Sequence, residues 1–165
     1  MAQNVIRVIF VVMPLLSAFF IPKRSFVKYL PVTFFSTLTV LAEIFYFIEH
    51  GLMKVGGGKK RLTSTAFLFA FGPYFFTNLW VFHFAKGKAF RYTMINLIAD
   101  FLYAFPIIHL FRRVNFLKLK VSSIQFFALI TANAVLNYIF QKFYERAQRN
   151  AITTTDRDRC QAPSR

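Results

Sequence analysis

The residues of this sequence that could do chemistry are a few polar side chains set inside long apolar stretches. One carboxylic acid and four amides fall in three such stretches: Asp100, Asn78, Asn96, Asn133 and Asn137. If the stretches cross a membrane, hydrocarbon offers these groups no hydrogen-bond partner, and an ionisable residue there is a candidate functional site. A carboxyl group among amides could bind a solute, or it could relay a proton with Asp100 as the titrating group.

The elements that must position these residues are apolar runs about as long as a bilayer is thick. A transmembrane helix needs about 20 mostly apolar residues to cross roughly 30 Å of hydrocarbon. The sequence has five such runs, at residues 4–21, 29–49, 65–85, 92–111 and 121–140. Because 56% of the residues are hydrophobic as well, we predict an all-α polytopic membrane protein, a bundle of five transmembrane helices.

The predicted domain organisation is one membrane domain, residues 1–149, followed by a polar, disordered C-terminal tail, residues 150–165. Glycine and proline inside the spans predict kinks at Pro14, at Gly72 with Pro73 and at Pro106. The first run has the apolar core of a secretory signal, but no small-x-small cleavage site follows it. We therefore expect the first run to be retained as a helix.

The basic charge of the chain points to lipid rather than to nucleic acid. The formal net charge is +15, yet the cations lie at the ends of the apolar runs, where each attracts anionic headgroups by about 1 kcal/mol. No nucleic-acid recognition motif is present, so the predicted partners are membrane lipids, with a membrane protein or a second copy of the chain as further candidates. Nine lysines and arginines fall on the N-terminal side of the membrane and twelve on the other, which predicts a cytoplasmic C-terminus.

A depth estimate brings the five polar residues together. Counting 1.5 Å per residue from the membrane face that carries the C-terminal tail puts Asp100 and Asn133 about 12 Å deep and Asn78 about 10 Å deep. Asn96 and Asn137 lie at about 6 Å, each one turn from a member of that layer. The predicted cluster has two interpretations: hydrogen bonds that hold three helices in register, or a polar pocket that binds a solute or proton.

Glu43 is the other acid inside a predicted span. The same count puts it about 21 Å deep, some 9 Å beyond the cluster, so a catalytic pair of carboxylates is not expected. Arg7 in the first span has a similar depth, which predicts an ion pair between Arg7 and Glu43. Thr33, Ser36 and Thr37 form a polar stripe on the second span, a pattern typical of close helix packing.

Enzyme and metal motifs are absent from the sequence. The single cysteine, Cys160, excludes an intramolecular disulfide and a cysteine-based metal site. His83 and His109 have no partner at metal-binding spacing, and we expect both to form hydrogen bonds at the membrane interface. The run 96–101 resembles the aspartate-bearing segments of lipoprotein signal peptidases, but those need a second intramembrane aspartate that is lacking here. We predict a non-enzyme without metal or cofactor.

Several short motifs carry a resemblance to a known group. They are Lys28-Tyr29-Leu30-Pro31, Gly72-Pro73-Tyr74-Phe75, Leu79-Trp80, Gly87, Tyr92, Asn96-Leu97 and Asp100. With these motifs the sequence resembles small, uncharacterised multi-pass membrane proteins of Bacillus-type Gram-positive bacteria, over most of the membrane domain. The resemblance implies a bacterial cell membrane. Because that group has no assigned activity, it transfers no functional residue.

The predicted function is a non-enzymatic structural or partner-binding membrane component. The alternative is a small transporter or solute-binding subunit that uses the polar cluster around Asp100. A membrane-embedded enzyme is the third hypothesis and would need a second acid or a histidine beside Asp100. The interior of the bundle discriminates among them, because a cavity around Asp100 favours a solute site and tight packing favours a scaffold.

Overall fold

The fold consists of helices long and apolar enough to cross a membrane. The computed structural model describes residues 19–55, 59–113 and 117–161, together with Val8, Val12, Leu16 and Ser17. Within this part of the chain four helices meet the length and hydropathy of a membrane span: Lys23–Glu49, Thr63–Ala85, Ala89–Arg113 and Ser123–Ala151. The all-helical fold, with helices long and apolar enough to cross a membrane, is confirmed, whereas the predicted count of five is not matched, because most of the first predicted span lies outside the described residues.

The described residues form six α-helices and two π-helical turns, which make up the spans, and two short strands, which lie between spans. In chain order they are α1 Lys23–Glu49, β1 Met53–Val55, α2 Lys59–Phe69, a π-turn Ala70–Tyr74, α3 Phe75–Ala85, α4 Ala89–Leu102, a π-turn Tyr103–Ile107, α5 Ile108–Arg113, β2 Leu117–Leu119 and α6 Ser123–Gln161. The π-turns join α2 to α3 and α4 to α5. Each pair is one kinked span.

Two of the three predicted kinks, at Gly72 with Pro73 and at Pro106, coincide with these π-turns, and the third, at Pro14, lies outside the described residues. Pro73 lies in the first turn and Pro106 in the second, where the missing N–H of proline disrupts the regular hydrogen-bond ladder. Gly72 leaves helical geometry altogether, with φ −93° and ψ −109°. The second described span therefore bends beside the polar residues of α3.

The four spans form a ring in which α1 packs against α3 and α6, and α4 packs against the same two helices. Aromatic pairs mark the antiparallel contacts: the Tyr29 and Phe82 rings lie 5.5 Å apart, and those of Tyr92 and Tyr138 lie 5.1 Å apart. We call the membrane side that carries the C-terminal helix the tail side. On that side Lys28 forms an ion pair of 3.2 Å with Glu145. The ring leaves an interior that all four spans line.

The opposite end of the ring, here called the ribbon side, is joined by an unpredicted two-stranded ribbon. β1 pairs antiparallel with β2, and Met53 lies opposite Leu119. The Lys120 N–H donates to the Leu52 carbonyl at 2.8 Å, and Arg112 donates to the Val121 carbonyl at 2.9 Å. The ribbon thus connects two loops that are far apart in the sequence.

The last helix is longer than predicted. Residues 150–161, which the sequence assigns to a disordered tail, continue α6 in the structure. Between residues 141 and 161 the chain contains neither glycine nor proline, so nothing in the sequence interrupts helical hydrogen bonding beyond the predicted span. Residues 162–165 lie outside the described part of the chain.

Candidate functional site

The interior of the ring holds a cavity of about 440 Å³. Every member of the predicted polar cluster lines it: Asp100, Asn78, Asn96, Asn133 and Asn137. They come from α3, α4 and α6, the three spans that the depth estimate brought to one height. The structure therefore places the five residues around a common space.

Glu43 of α1 lines the same cavity, which corrects the sequence analysis. Asn133 donates from Nδ2 to both carboxylate oxygens of Glu43, at 2.9 and 2.8 Å. The second acid, Asp100, accepts a longer hydrogen bond of 3.4 Å from the Thr131 hydroxyl. The expectation that Glu43 stands apart from the cluster was wrong, and two carboxylates face one cavity.

The depth estimate failed for Glu43 because it counted Cα positions only. Helical side chains tilt toward the N-terminus of their own helix. Since α1 begins on the tail side and α6 on the ribbon side, the Glu43 side chain tilts toward the tail side and the Asn133 side chain tilts toward the ribbon side. The two side chains therefore meet, although their Cα atoms lie at different depths. The estimate had treated this difference in depth as a distance between the side chains.

The tail-side boundary of the cavity is a set of hydrogen bonds between spans. Asn137 donates to the Ser36 hydroxyl at 2.6 Å, and Ser36 shares a hydrogen bond of 2.7 Å with the Tyr74 hydroxyl. Tyr92 donates to the Ala134 carbonyl at 2.9 Å. These bonds hold α1, α4 and α6 and the kinked span at fixed heights.

The polar stripe on α1 packs as its structural interpretation predicts. The Thr33 hydroxyl donates to the Tyr29 carbonyl and the Thr37 hydroxyl to the Thr33 carbonyl, each at 2.8 Å. Both threonines are fully buried. Their hydroxyl groups are thus satisfied within α1, and of the stripe only Ser36 takes part in the cluster.

Two amide atoms beside the cavity have no hydrogen-bond partner among the described residues. They are the Nδ2 of Asn78, a donor, and the Oδ1 of Asn137, an acceptor. Their side chains are more than nine-tenths buried, with 7% and 3% of the residue surface exposed. A buried amide without a partner is costly, so each favours a molecule in the cavity that can complete its hydrogen bonding.

The cavity is polar at one end and apolar at the other. Along α4 and α5 the lining changes from Asn96 and Asp100 to Ile108, and along α6 it changes from Asn133 to Phe126. The ribbon side is lined by Phe47, Met53, Phe69, Phe111 and Leu119. No lysine, arginine or histidine is among the described lining residues. The cavity can therefore accept a molecule with one polar or charged end and one apolar end.

Other predicted site residues lie elsewhere. Arg7 is outside the described residues, so its ion pair with Glu43 stays a prediction. The His83 ring accepts or donates a hydrogen bond of 2.9 Å at the Ser25 hydroxyl and does not line the cavity. Within the described part of the chain no three histidine, cysteine, aspartate or glutamate side chains form a group that could hold a metal ion.

Sequence reasoning missed two further residues of the site. Tyr74 binds Ser36 from the π-turn, and Thr131 binds Asp100 from α6. Thr131 lies two residues from Asn133, a spacing that does not share a helix face, and it contacts the Asp100 carboxylate without lining the cavity itself. Tyr74 follows Gly72 and Pro73 directly, and the predicted kink was the available signal for it.

No family model, curated protein or solved structure matches the chain. The cavity is therefore the feature of the protein that bears on its function. The chemistry on offer is hydrogen bonding and charge: two carboxylates, four amides and the Tyr74 hydroxyl surround a space large enough for a small molecule.

Proposed function

We propose that the protein is a non-enzymatic membrane protein that binds a small solute inside its helical ring, as a small transporter or as a solute-binding subunit. The observation that carries this proposal is the cavity of about 440 Å³ lined by Glu43, Asp100 and four asparagines. Its volume falls within the range of roughly 300–1,000 Å³ typical of small-molecule sites. The unpartnered amide atoms of Asn78 and Asn137 support a ligand rather than an inert interior.

A structural or partner-binding component is the second candidate. The hydrogen bonds of Asn137, Ser36 and Tyr74 favour it, because they fix the heights of three spans without needing a ligand. A scaffold alone, however, gains nothing from a cavity around two acids that have no basic neighbour among the described lining residues, since burying such groups without a charged partner lowers stability. A solute site therefore explains the cavity and its two acids, which a scaffold does not.

The membrane placement is proposed as well. We propose that residues 4–21 add a fifth span, and that the bundle lies in a bacterial cell membrane with its C-terminus in the cytoplasm. The charge distribution and the apolar length of that segment support this arrangement. Reporter fusions at Arg165 test the orientation: a cytoplasmic reporter is expected to be active there, and activity of a periplasmic reporter would contradict it.

Cysteine labelling tests whether the cavity admits a solute. Cys160 is first replaced by serine, and single cysteines are then introduced as Ala134→Cys or Val135→Cys. Ala134 lines the cavity, while Val135 is 57% exposed on the outer surface of the ring, which faces lipid in a membrane. Iodoacetamide is a small, neutral, water-soluble reagent that reacts with thiolates, and a thiol in hydrocarbon stays protonated.

The two cysteines are expected to differ. The Ala134→Cys thiol should react with iodoacetamide in native membranes, because the reagent and water reach the cavity, and the Val135→Cys thiol should react only after denaturation. Equal protection of both thiols in the folded protein would mean that nothing reaches the interior, and it would overturn the proposed solute site in favour of the scaffold.

A further inference from the structure

The charge of the cavity identifies the class of its ligand. Resting on the proposed solute-binding function, we propose that the cavity binds an amphipathic organic cation, with the positive group between Glu43 and Asp100 and the apolar part directed toward the ribbon. The proposal has two independent supports. One is the pair of acids on a common cavity, and the other is the buried, unpartnered amides beside them.

The sign of the charge follows from a contrast with the rest of the chain. The protein has 21 lysines and arginines but only six acids. Two of those six acids line the cavity, and the described lining residues include no basic side chain. No described basic side chain lines the cavity with these carboxylates, so a cationic ligand would supply a counter-charge that the described part of the chain does not.

The hydrogen-bonding capacity of the lining also favours a cation. An ionised carboxylate offers about four acceptor sites. Asn133 is the only described donor to Glu43, and Thr131 reaches Asp100 at 3.4 Å. The Oδ1 of Asn137 adds a free acceptor, whereas the Nδ2 of Asn78 is the one unpartnered amide donor among the described lining residues. Acceptors therefore outnumber donors in the part of the cavity that a ligand would touch.

The apolar end determines the shape of the cation. Beyond Asp100 the walls become aromatic and aliphatic, with the Tyr103 and Phe126 rings 5.9 Å apart and tilted by 37°, and the ribbon residues Met53 and Leu119 line the end. Aromatic faces attract cations, and the apolar walls favour a hydrophobic body. A small hydrated inorganic ion would leave this half of the cavity unused.

Two ions of the same shape and opposite charge provide the test. Tetraphenylphosphonium is a hydrophobic cation, and tetraphenylborate is an anion of similar size and geometry. Binding of each radiolabelled ion is measured to the full chain in lipid nanodiscs, and the binding to nanodiscs without protein is subtracted. The variants Glu43→Gln and Asp100→Asn each remove one charge, and Glu49→Gln is the matched control because Glu49 is exposed at the end of α1 and does not line the cavity.

The proposal expects saturable binding of the phosphonium and none of the borate. Each of Glu43→Gln and Asp100→Asn should weaken phosphonium binding about tenfold or more, and Glu49→Gln should leave it unchanged. Comparable binding of both ions, or phosphonium binding that ignores both substitutions, would overturn the proposal. The two ions on the unmodified protein decide the sign of the charge even if a variant fails to fold.

Failure here is distinguishable from failure of the solute site itself. If iodoacetamide reaches the Ala134→Cys thiol but phosphonium does not bind, the solute site stands and the cationic ligand is wrong. If the thiol is protected and neither ion binds, both proposals fail together.

Discussion

The hydrogen bonds between Asn133 and Glu43 provide the most direct test of the two-acid cavity. The depth estimate from the sequence places these two residues apart, whereas the structure places them in contact. Asn133 reaches both carboxylate oxygens of Glu43, at 2.9 and 2.8 Å. The perturbation is a double-mutant cycle of Asn133→Leu and Glu43→Leu, which replaces each polar side chain with an apolar one of similar volume. If the residues touch, the two substitutions must not be additive.

The expected coupling energy follows from the geometry. Interhelical hydrogen bonds in membranes contribute about 0.6 to 1.7 kcal/mol, and bonds to charged groups are stronger than bonds to neutral ones. With two short bonds to one carboxylate, we expect a coupling of about 1 to 2 kcal/mol, or roughly a fivefold to thirtyfold change in the unfolding equilibrium constant. The double variant should therefore lose less stability than the sum of the single variants.

Reversible unfolding in mixed detergent and SDS micelles measures these free energies. Asn96 provides the matched control, because it also lines the cavity but donates to the Tyr92 carbonyl at 2.9 Å instead. The cycle of Asn96→Leu with Glu43→Leu should be additive within about 0.5 kcal/mol. A coupling below about 0.3 kcal/mol for Asn133 with Glu43 would refute the contact, and with it the two-acid cavity.

Three further predictions concern the packing and the two ends of the ring. Leu79 is fully buried, so Leu79→Ala should lower the free energy of unfolding by about 2–5 kcal/mol in the same titration, and a loss below 1 kcal/mol would contradict its burial. Glu145→Gln removes the ion pair with half-exposed Lys28; it should cost less than about 1 kcal/mol, and this cost should vanish in high salt. Arg112→Ala removes a donor to the carbonyls beside β2, so amide hydrogen exchange of Leu117–Leu119 should become faster, and unchanged exchange would argue against this anchor.

Hydropathy and proline positions predicted most of the fold. The four predicted spans after the first overlap the four membrane-length helices of the described residues, because apolar length is a direct requirement of the bilayer. Pro73 and Pro106 marked both π-turns, since proline removes a specific backbone donor. Span positions and kinks were predictable because each depends on a single local property of the sequence, either apolar length or the position of a proline.

The polar cluster was predictable for a related reason. Helices that cross the same bilayer rise by the same distance per residue, so counting residues from one membrane face estimates the depth of each side chain. This estimate correctly predicted that Asn78, Asp100 and Asn133 lie around one cavity. Counting failed for Glu43, because the direction of a side chain reverses between antiparallel helices. Counting residues also gives no information on the empty volume between helices, so it could not distinguish a packed cluster from a cavity.

The ribbon was missed although a weak signal existed. The segments Met53–Val55 and Leu117–Val121 both alternate apolar and basic residues, the period expected of a strand. Each strand has only three residues, and its partner lies more than sixty positions away. A pairing that short is stable only because the helices bring the loops together, and no local pattern encodes that.

The ribbon also makes the two rims of the ring unequal in stiffness. On one rim, backbone hydrogen bonds between β1 and β2 link two connections that would otherwise move independently. On the other rim, the described ends of α1 and α6 are joined by the ion pair of Lys28 with Glu145, which separates at little cost, and the hydrogen bonds between spans there come from side chains. Thermal spreading of the helices should therefore be asymmetric, with the wider excursions on the leaflet that holds the end of α6.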